Sequence, residues 1–163
     1  MNIDVYERFF LRLTGLTLVI FFAAIVVSAL AGTVTLPQPS ARVDPSQLAS
    51  TAPFDKPGVR ELAPGRYEVA IVAQAWSFTP NEIHLPAGAE VTFRVTSRDV
   101  IHGFEITGVA LNMMLIPGQV SVATTSFDEP GQHLIICHEY CGIGHQNMYA
   151  TIIVDPPQQA RAE

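Results

Sequence analysis

The chain is poor in charge. Only 15% of its 163 residues are Asp, Glu, Lys or Arg, against 48% hydrophobic, which points to a membrane contribution beside one modest domain. Basic residues are scarcer than acidic ones, 9 against 15, for a net charge of -6. That balance rules against nucleic acid as a partner. Cysteine is almost missing. The two present, Cys137 and Cys141, are spaced C-x3-C, so the chain lacks the C-x-x-C-H of haem attachment and a fused cytochrome c is excluded. There is a single tryptophan, Trp76. Helix-period patterning is lacking after residue 36, and no internal repeat or low-complexity tract is found.

The shortage of charge is complete in one place. From Leu13 to Leu36, 24 residues pass without a Lys, Arg, Asp, Glu or His. At about 1.5 Å per residue a helix of that length spans about 36 Å, enough for a bilayer core. A cleaved signal peptide is the rival reading, since Arg8 and Arg12 precede the run and Ala29-Leu30-Ala31 has small-x-small form. The run, however, exceeds the apolar region of about 7 to 15 residues that such peptides carry. Arg8 and Arg12 stand directly before the run and Arg42 follows at a distance, so the N-terminus is expected in the cytoplasm and the rest of the chain outside. Residues 1–37 are thus read as N-terminus and anchor.

Next come Pro37, Pro39, Pro45, Pro53, Pro57 and Pro64 without apolar periodicity, read as a semi-rigid linker or surface-hugging arm over 38–66. From Tyr67 the pattern becomes short Val-, Ile-, Thr- and Phe-rich runs. Strands are expected at Tyr67 to Ala73, Glu90 to Thr96, Gln119 to Phe127, His133 to Cys137 and Tyr149 to Val154. Pro86-Ala87-Gly88, Pro117-Gly118 and Pro130-Gly131 mark turns between them. About seven strands in such a length predict an all-β domain over 67–157, an antiparallel sandwich or barrel with Greek-key connections, and a tail at 158–163.

Chemistry concentrates in Cys137-His138-Glu139-Tyr140-Cys141-Gly142-Ile143-Gly144-His145-Gln146-Asn147-Met148, which holds donors in the order C-x3-C-x3-H-x2-M. Zinc is satisfied by thiolates and imidazoles, whereas a thioether beyond the histidine suits copper. A further imidazole is available upstream at His102, in Asp99-Val100-Ile101-His102-Gly103-Phe104. One copper needs a single thiolate, so the second cysteine favours a binuclear site. Zinc on His102, Cys137, Cys141 and His145 stays chemically reasonable. A disulfide closing the four-residue spacing would leave His145 and Met148 unexplained. His84 and His133 read as ordinary strand residues, His138 as a loop residue facing solvent or a partner, and Met113 and Met114 as core or rim packing.

The loop C-x-E-x-C-G-x-x-H-x-x-M, preceded by D-V-x-H-G-F, resembles the CuA domain of subunit II of haem-copper cytochrome c oxidases. The likeness runs from about Tyr67 to Val154 and extends to the anchor. Within that family the chain is most similar to the B-type branch, whose subunit II has one membrane helix. The resemblance implies a cupredoxin-like fold and a binuclear copper centre, CuA. Cys137 and Cys141 would bridge two coppers, His102 and His145 would each bind one, and Met148 and the Glu139 backbone carbonyl would be weak ligands. It also implies a haem-bearing subunit I as partner and cytochrome c as donor, with Trp76 and Phe78 lying where the electron arrives, whereas by residue type alone a lone strand aromatic such as Trp76 reads as core packing and Phe78 shares both readings. In relatives with a two-helix anchor the glutamate matching Glu139 also binds magnesium or manganese through its side chain. Residues 37–163 carry 7 basic and 13 acidic side chains, a balance that would attract a basic cytochrome. Nitrous oxide reductase also has a CuA domain, but with a large propeller for which no sequence is seen. A membrane-tethered single-copper carrier or copper-delivery protein is the alternative.

Overall fold

In a computed structural model, residues 4–31 and 40–156 are described. The end of the apolar run and the start of the expected linker, 32–39, and the expected tail, 158–163, lie outside the described residues. Two units are present, an N-terminal helix and a globular domain.

Helix α1 spans Val5–Leu30. It is capped by Asp4, whose carboxylate accepts the Tyr6 N–H at 2.9 Å, and Glu7 sits in the first turn, where negative charge suits the helix dipole. The helix therefore begins at Val5 and not at Leu13. Arginine is a good helix former, so Arg8 and Arg12 extend the helix without interrupting it. Its 26 residues reach about 39 Å, and none of its side chains is buried.

The described residues of the domain form eleven strands: β1 (Ala41–Arg42), β2 (Gly58–Ala63), β3 (Arg66–Gln74), β4 (Ser77–Thr79), β5 (Glu82–Pro86), β6 (Ala89–Ser97), β7 (His102–Ile106), β8 (Leu111–Leu115), β9 (Gln119–Phe127), β10 (Gly131–Ile136) and β11 (Tyr149–Asp155). One sheet runs β1-β9-β6-β3-β2, with β4 also on β3. The other runs β5-β11-β10-β7-β8. All five expected strands are present. The pairs β3–β6 and β5–β11 are parallel, unlike the wholly antiparallel arrangement expected, because their connections cross between sheets instead of turning back as hairpins.

Alternation drives the packing between the sheets. Ala89, Val91, Phe93 and Val95 of β6 and Ala150, Ile152 and Val154 of β11 are buried at every second position, and Phe78, Phe104 and Phe127 fill the space between. Strand β3 departs from this pattern: Val69, Ala70, Ile71, Val72 and Ala73 are all buried. Its outer face is covered by Leu48 and Phe54, which join Ala70, Val72 and Val120 in a second small core.

Of the two readings of this segment, linker or surface-hugging arm, its described residues take the second and fold onto the domain. Ser40 and Val43 donate backbone hydrogen bonds to Val120 and Gly118 carbonyls at 3.2 and 3.1 Å, and Asp44 caps a 3-10 turn at Pro45–Ser50 that carries Leu48 inward. β2 then pairs with β3. A fully buried Leu or Phe contributes about 1.5–3 kcal/mol, enough to hold such an arm down. The unbroken apolar run Val69 to Ala73 was its sequence signal, since a strand with one wet face alternates.

Candidate metal centre

The donors converge because three strands of the second sheet end together. β10 stops at Ile136, paired with Tyr149 at the start of β11, so the Cys137–Met148 loop leaves from and returns to adjacent positions. The Cys137 N–H closes it on the Met148 carbonyl at 3.2 Å. On the other side β10 pairs with β7, which begins at His102 and brings that ring to the loop. A 3-10 turn at His145–Asn147 carries the second imidazole.

Gly103 shows how close this approach is. A Cβ there would stand 2.6 Å from the His138 ring and 2.7 Å from the His138 backbone nitrogen, so only glycine admits the loop against β7. His138 lies against Gly103 and is exposed, as expected of a loop residue facing solvent or a partner.

Around the two sulfurs the distances are short. Cys137 Sγ and Cys141 Sγ lie 3.7 Å apart as free thiols, well beyond the roughly 2.05 Å of a disulfide. His102 Nδ1 lies 3.9 Å from Cys137 Sγ, whose thiol also donates to the Glu139 carbonyl at 3.3 Å. His145 Nδ1 and Met148 Sδ each lie 3.6 Å from Cys141 Sγ. Each thiol therefore faces a different imidazole. His102, Cys137 and Cys141 also place their ligand atoms within 4.8 Å of one another.

The site is nearly dry. His102 is 0% exposed, and Cys137, Cys141 and Met148 are buried. Burial, reinforced by the hydrogen bond and the charge of Cys137, pushes the Cys141 thiol up to about 11, so without a cation it stays protonated. A bound metal reverses that preference and expels the proton. The far nitrogen of His102, Nε2, donates to Asp99 Oδ1 at 2.9 Å, which fixes the tautomer and leaves Nδ1 free to face sulfur. Burial opposes ionisation of Asp99, but hydrogen bonds from the Ala75 N–H, His102 and the Val100 N–H together hold its carboxyl below the usual range. Two thiols, two imidazoles and a thioether fit copper by softness.

Trp76 lies over this loop. A Cβ on Gly144 would fall 2.5 Å from the indole, and one on Gly142, at φ +118°, 3.0 Å from its Nε1, so both glycines make room for the ring. It remains 45% exposed. Phe78 takes the core alternative instead of the entry role. It is 1% exposed and packs edge-to-face on Phe104 with ring centroids 5.8 Å apart, so it is a core side chain that a docking partner does not touch. The turn at Ala75 and Trp76 breaks the two-residue alternation that would have put both rings on one face. Sequence reasoning also passed over Asp99 and Gly103 as individual residues, although both lie in the segment that supplied His102.

His84 pairs at the surface with Asp155, and His133 bonds the Thr107 carbonyl at 2.7 Å. Met113 packs on the core while Met114 is exposed. None of the four joins the donors.

A two-sheet sandwich bearing thiols, imidazoles and a thioether at one rim is a cupredoxin-like, copper-binding fold. Residues 68–155 match the periplasmic domain of cytochrome C oxidase subunit II. The chain is 44% identical over 115 residues to cytochrome c oxidase subunit 2 of Thermus thermophilus, covering 69% of this chain and 85% of that protein. A second subunit 2 sequence from the same species is again 44% identical over 115 residues, with 68% of that protein covered. A heme-copper terminal oxidase dimer solved by cryo-EM contains a chain 35% identical, with TM-score 0.60, covering 92% of this chain and 99% of that one. The chain belongs to the cytochrome c oxidase subunit II family. It is accordingly a subunit of an oxidoreductase complex, associated with subunit I in a membrane, with an N-terminal apolar helix as anchor and an extracytoplasmic domain.

Proposed function

We propose that the site is a binuclear CuA centre, in which Cys137 and Cys141 bridge two coppers, His102 and His145 each bind one, and Met148 and the Glu139 carbonyl are weak ligands. The observation that carries this reading is the pairing of each thiol with its own imidazole around a 3.7 Å sulfur–sulfur separation. When bound, such a centre would supply one-electron redox chemistry. The chain supplies the rest. The strand ends hold the donors, the core behind them excludes water, and Asp99 orients His102. Trp76 presents an aromatic face above the ligand loop, where we place the arrival of an electron from cytochrome c. The electron then passes to the haems of subunit I.

The test is copper stoichiometry with electron paramagnetic resonance on the loaded domain. Two coppers per chain and a mixed-valence spectrum are expected, and Cys141→Ser is expected to convert the site to a one-copper form. One copper in the parent, with a simple four-line spectrum, sinks the binuclear reading. For electron arrival, Trp76→Ala should slow stopped-flow reduction by cytochrome c while the copper spectrum is kept.

For the anchor, the reading is a cytoplasmic N-terminus, supported by Arg8 and Arg12 before the apolar part of α1. Protease added to sealed spheroplasts should leave an N-terminal tag intact.

A further inference from the structure

Asp99 holds more than a ligand. Its Oδ1 accepts the His102 Nε2–H at 2.9 Å and the Val100 N–H at 2.7 Å, while its Oδ2 accepts the Ala75 N–H at 2.7 Å. Ala75 directly precedes Trp76 in the turn from β3 to β4, 24 residues before Asp99 in the chain. The Trp76 ring in turn rests on Gly142 and Gly144 of the ligand loop. The contacts thus close a circuit from His102 through Asp99 to Ala75 and Trp76, and back to the loop that carries Cys141 and His145.

A local turn would need one oxygen only. The Val100 contact is of that kind, but the second oxygen reaches a different strand pair and has no part in the turn. Carboxylate is suited to the double task because both of its oxygens accept, in different directions, whereas an amide offers one accepting oxygen. Charge assistance makes each of these bonds stronger than a neutral one.

We propose that Asp99 is a positioning residue that sets the His102 imidazole and the Trp76 ring with a single carboxylate, so that ligand and electron-receiving ring are aligned by one group. This rests on the reading of Trp76 as the receiving ring. It makes Asp99 the joint between copper binding and electron arrival.

Trp76 is the chain's one tryptophan, so fluorescence of the full-length, detergent-solubilised chain reports on this ring alone, with or without copper. In Asp99→Ala the expected results are stronger acrylamide quenching and about tenfold faster hydrogen exchange at the Ala75 amide. In the copper-loaded form the reduction potential should also rise, because the imidazole loses the partner that makes it a better donor. Asp99→Asn keeps the shape and one acceptor, so it is expected to release one side, raising either Trp76 quenching or the potential. Parent-like quenching and potential together in Asp99→Asn overturn the proposal, even if Asp99→Ala does not fold. The two readings also separate. If Trp76→Ala leaves reduction by cytochrome c unchanged, Trp76 is not the receiving ring, whereas the fluorescence of the Asp99 variants tests the joint itself.

Discussion

The two ends of β11 carry the same pair of groups in different surroundings. Where the strand begins, beside Met148, the His102 ring is fully buried and bonds Asp99 at 2.9 Å. Where it finishes, His84 is 55% exposed by its side chain and bonds Asp155 at 3.2 Å and Glu82 at 3.4 Å. An exposed pair is screened by water and contributes little. The His102 ring has no exposed surface, so although the Asp99 side chain is 35% exposed the ring cannot exchange that partner for water. The same chemistry is thus a surface ion cluster at one end and part of a metal centre at the other, and desolvation makes the difference.

The largest test of that contrast uses glycine. Gly103→Ala at the metal end would drive a Cβ into the His138 backbone. It is expected to destabilise the domain by about 1–3 kcal/mol, as overpacking does, with loss of copper binding. Gly131→Ala at the far end meets nothing within 4 Å and should be neutral or stabilising by up to about 1 kcal/mol. Denaturant unfolding of both variants checks this. Equal losses would show that the ends are equally packed.

A middle-sized effect is expected from pH. In the metal-free domain burial first, and then Cys137, pushes the Cys141 thiol up from its ordinary 9.0 to about 11. A folded pKa above the unfolded one means that the stability is fully present below 9.0 and lost as pH climbs toward about 11. Thermal unfolding across that window should show the decline in the parent and a weaker one in Cys141→Ser.

The smallest effect belongs to the exposed cluster. Hydrogen bonds that the His84 ring donates to Asp155 first, then to Glu82, raise its pKa. The charged ring therefore adds stability that is present below its ordinary value of about 6.5 and lost as pH rises through the raised one. Comparing Tm at about pH 5.5 and about pH 8.5 should show a slightly flatter dependence in His84→Gln than in the parent. A large change would mean that this end is more than a screened surface pair.

Some of this was legible in one dimension, for physical reasons that differ by residue. Donor softness and spacing are local properties, so Cys137, Cys141, His145 and Met148 stood out together, and His102 could be paired with them by its type and its segment. Continuous apolarity made α1 visible, although not its start, since charge at Arg8 and Arg12 does not break a helix. The long strands were visible because alternation needs several residues to register. β1, β4 and β7 are too short for that.

By itself, then, the order of side chains determined which donors exist, that an apolar helix precedes an all-β domain, and that the chemistry is of the soft-ligand kind. Only the tertiary structure decided that Phe78 is core while Trp76 covers the loop, because a turn between them resets which face each residue takes. It also decided that the proline-rich arm packs on β3 through Leu48 and Phe54, that Gly103 must lack a side chain, and that Asp99 joins His102 to Ala75. Each of these depends on atoms brought close from distant parts of the chain, and no local preference encodes such proximity.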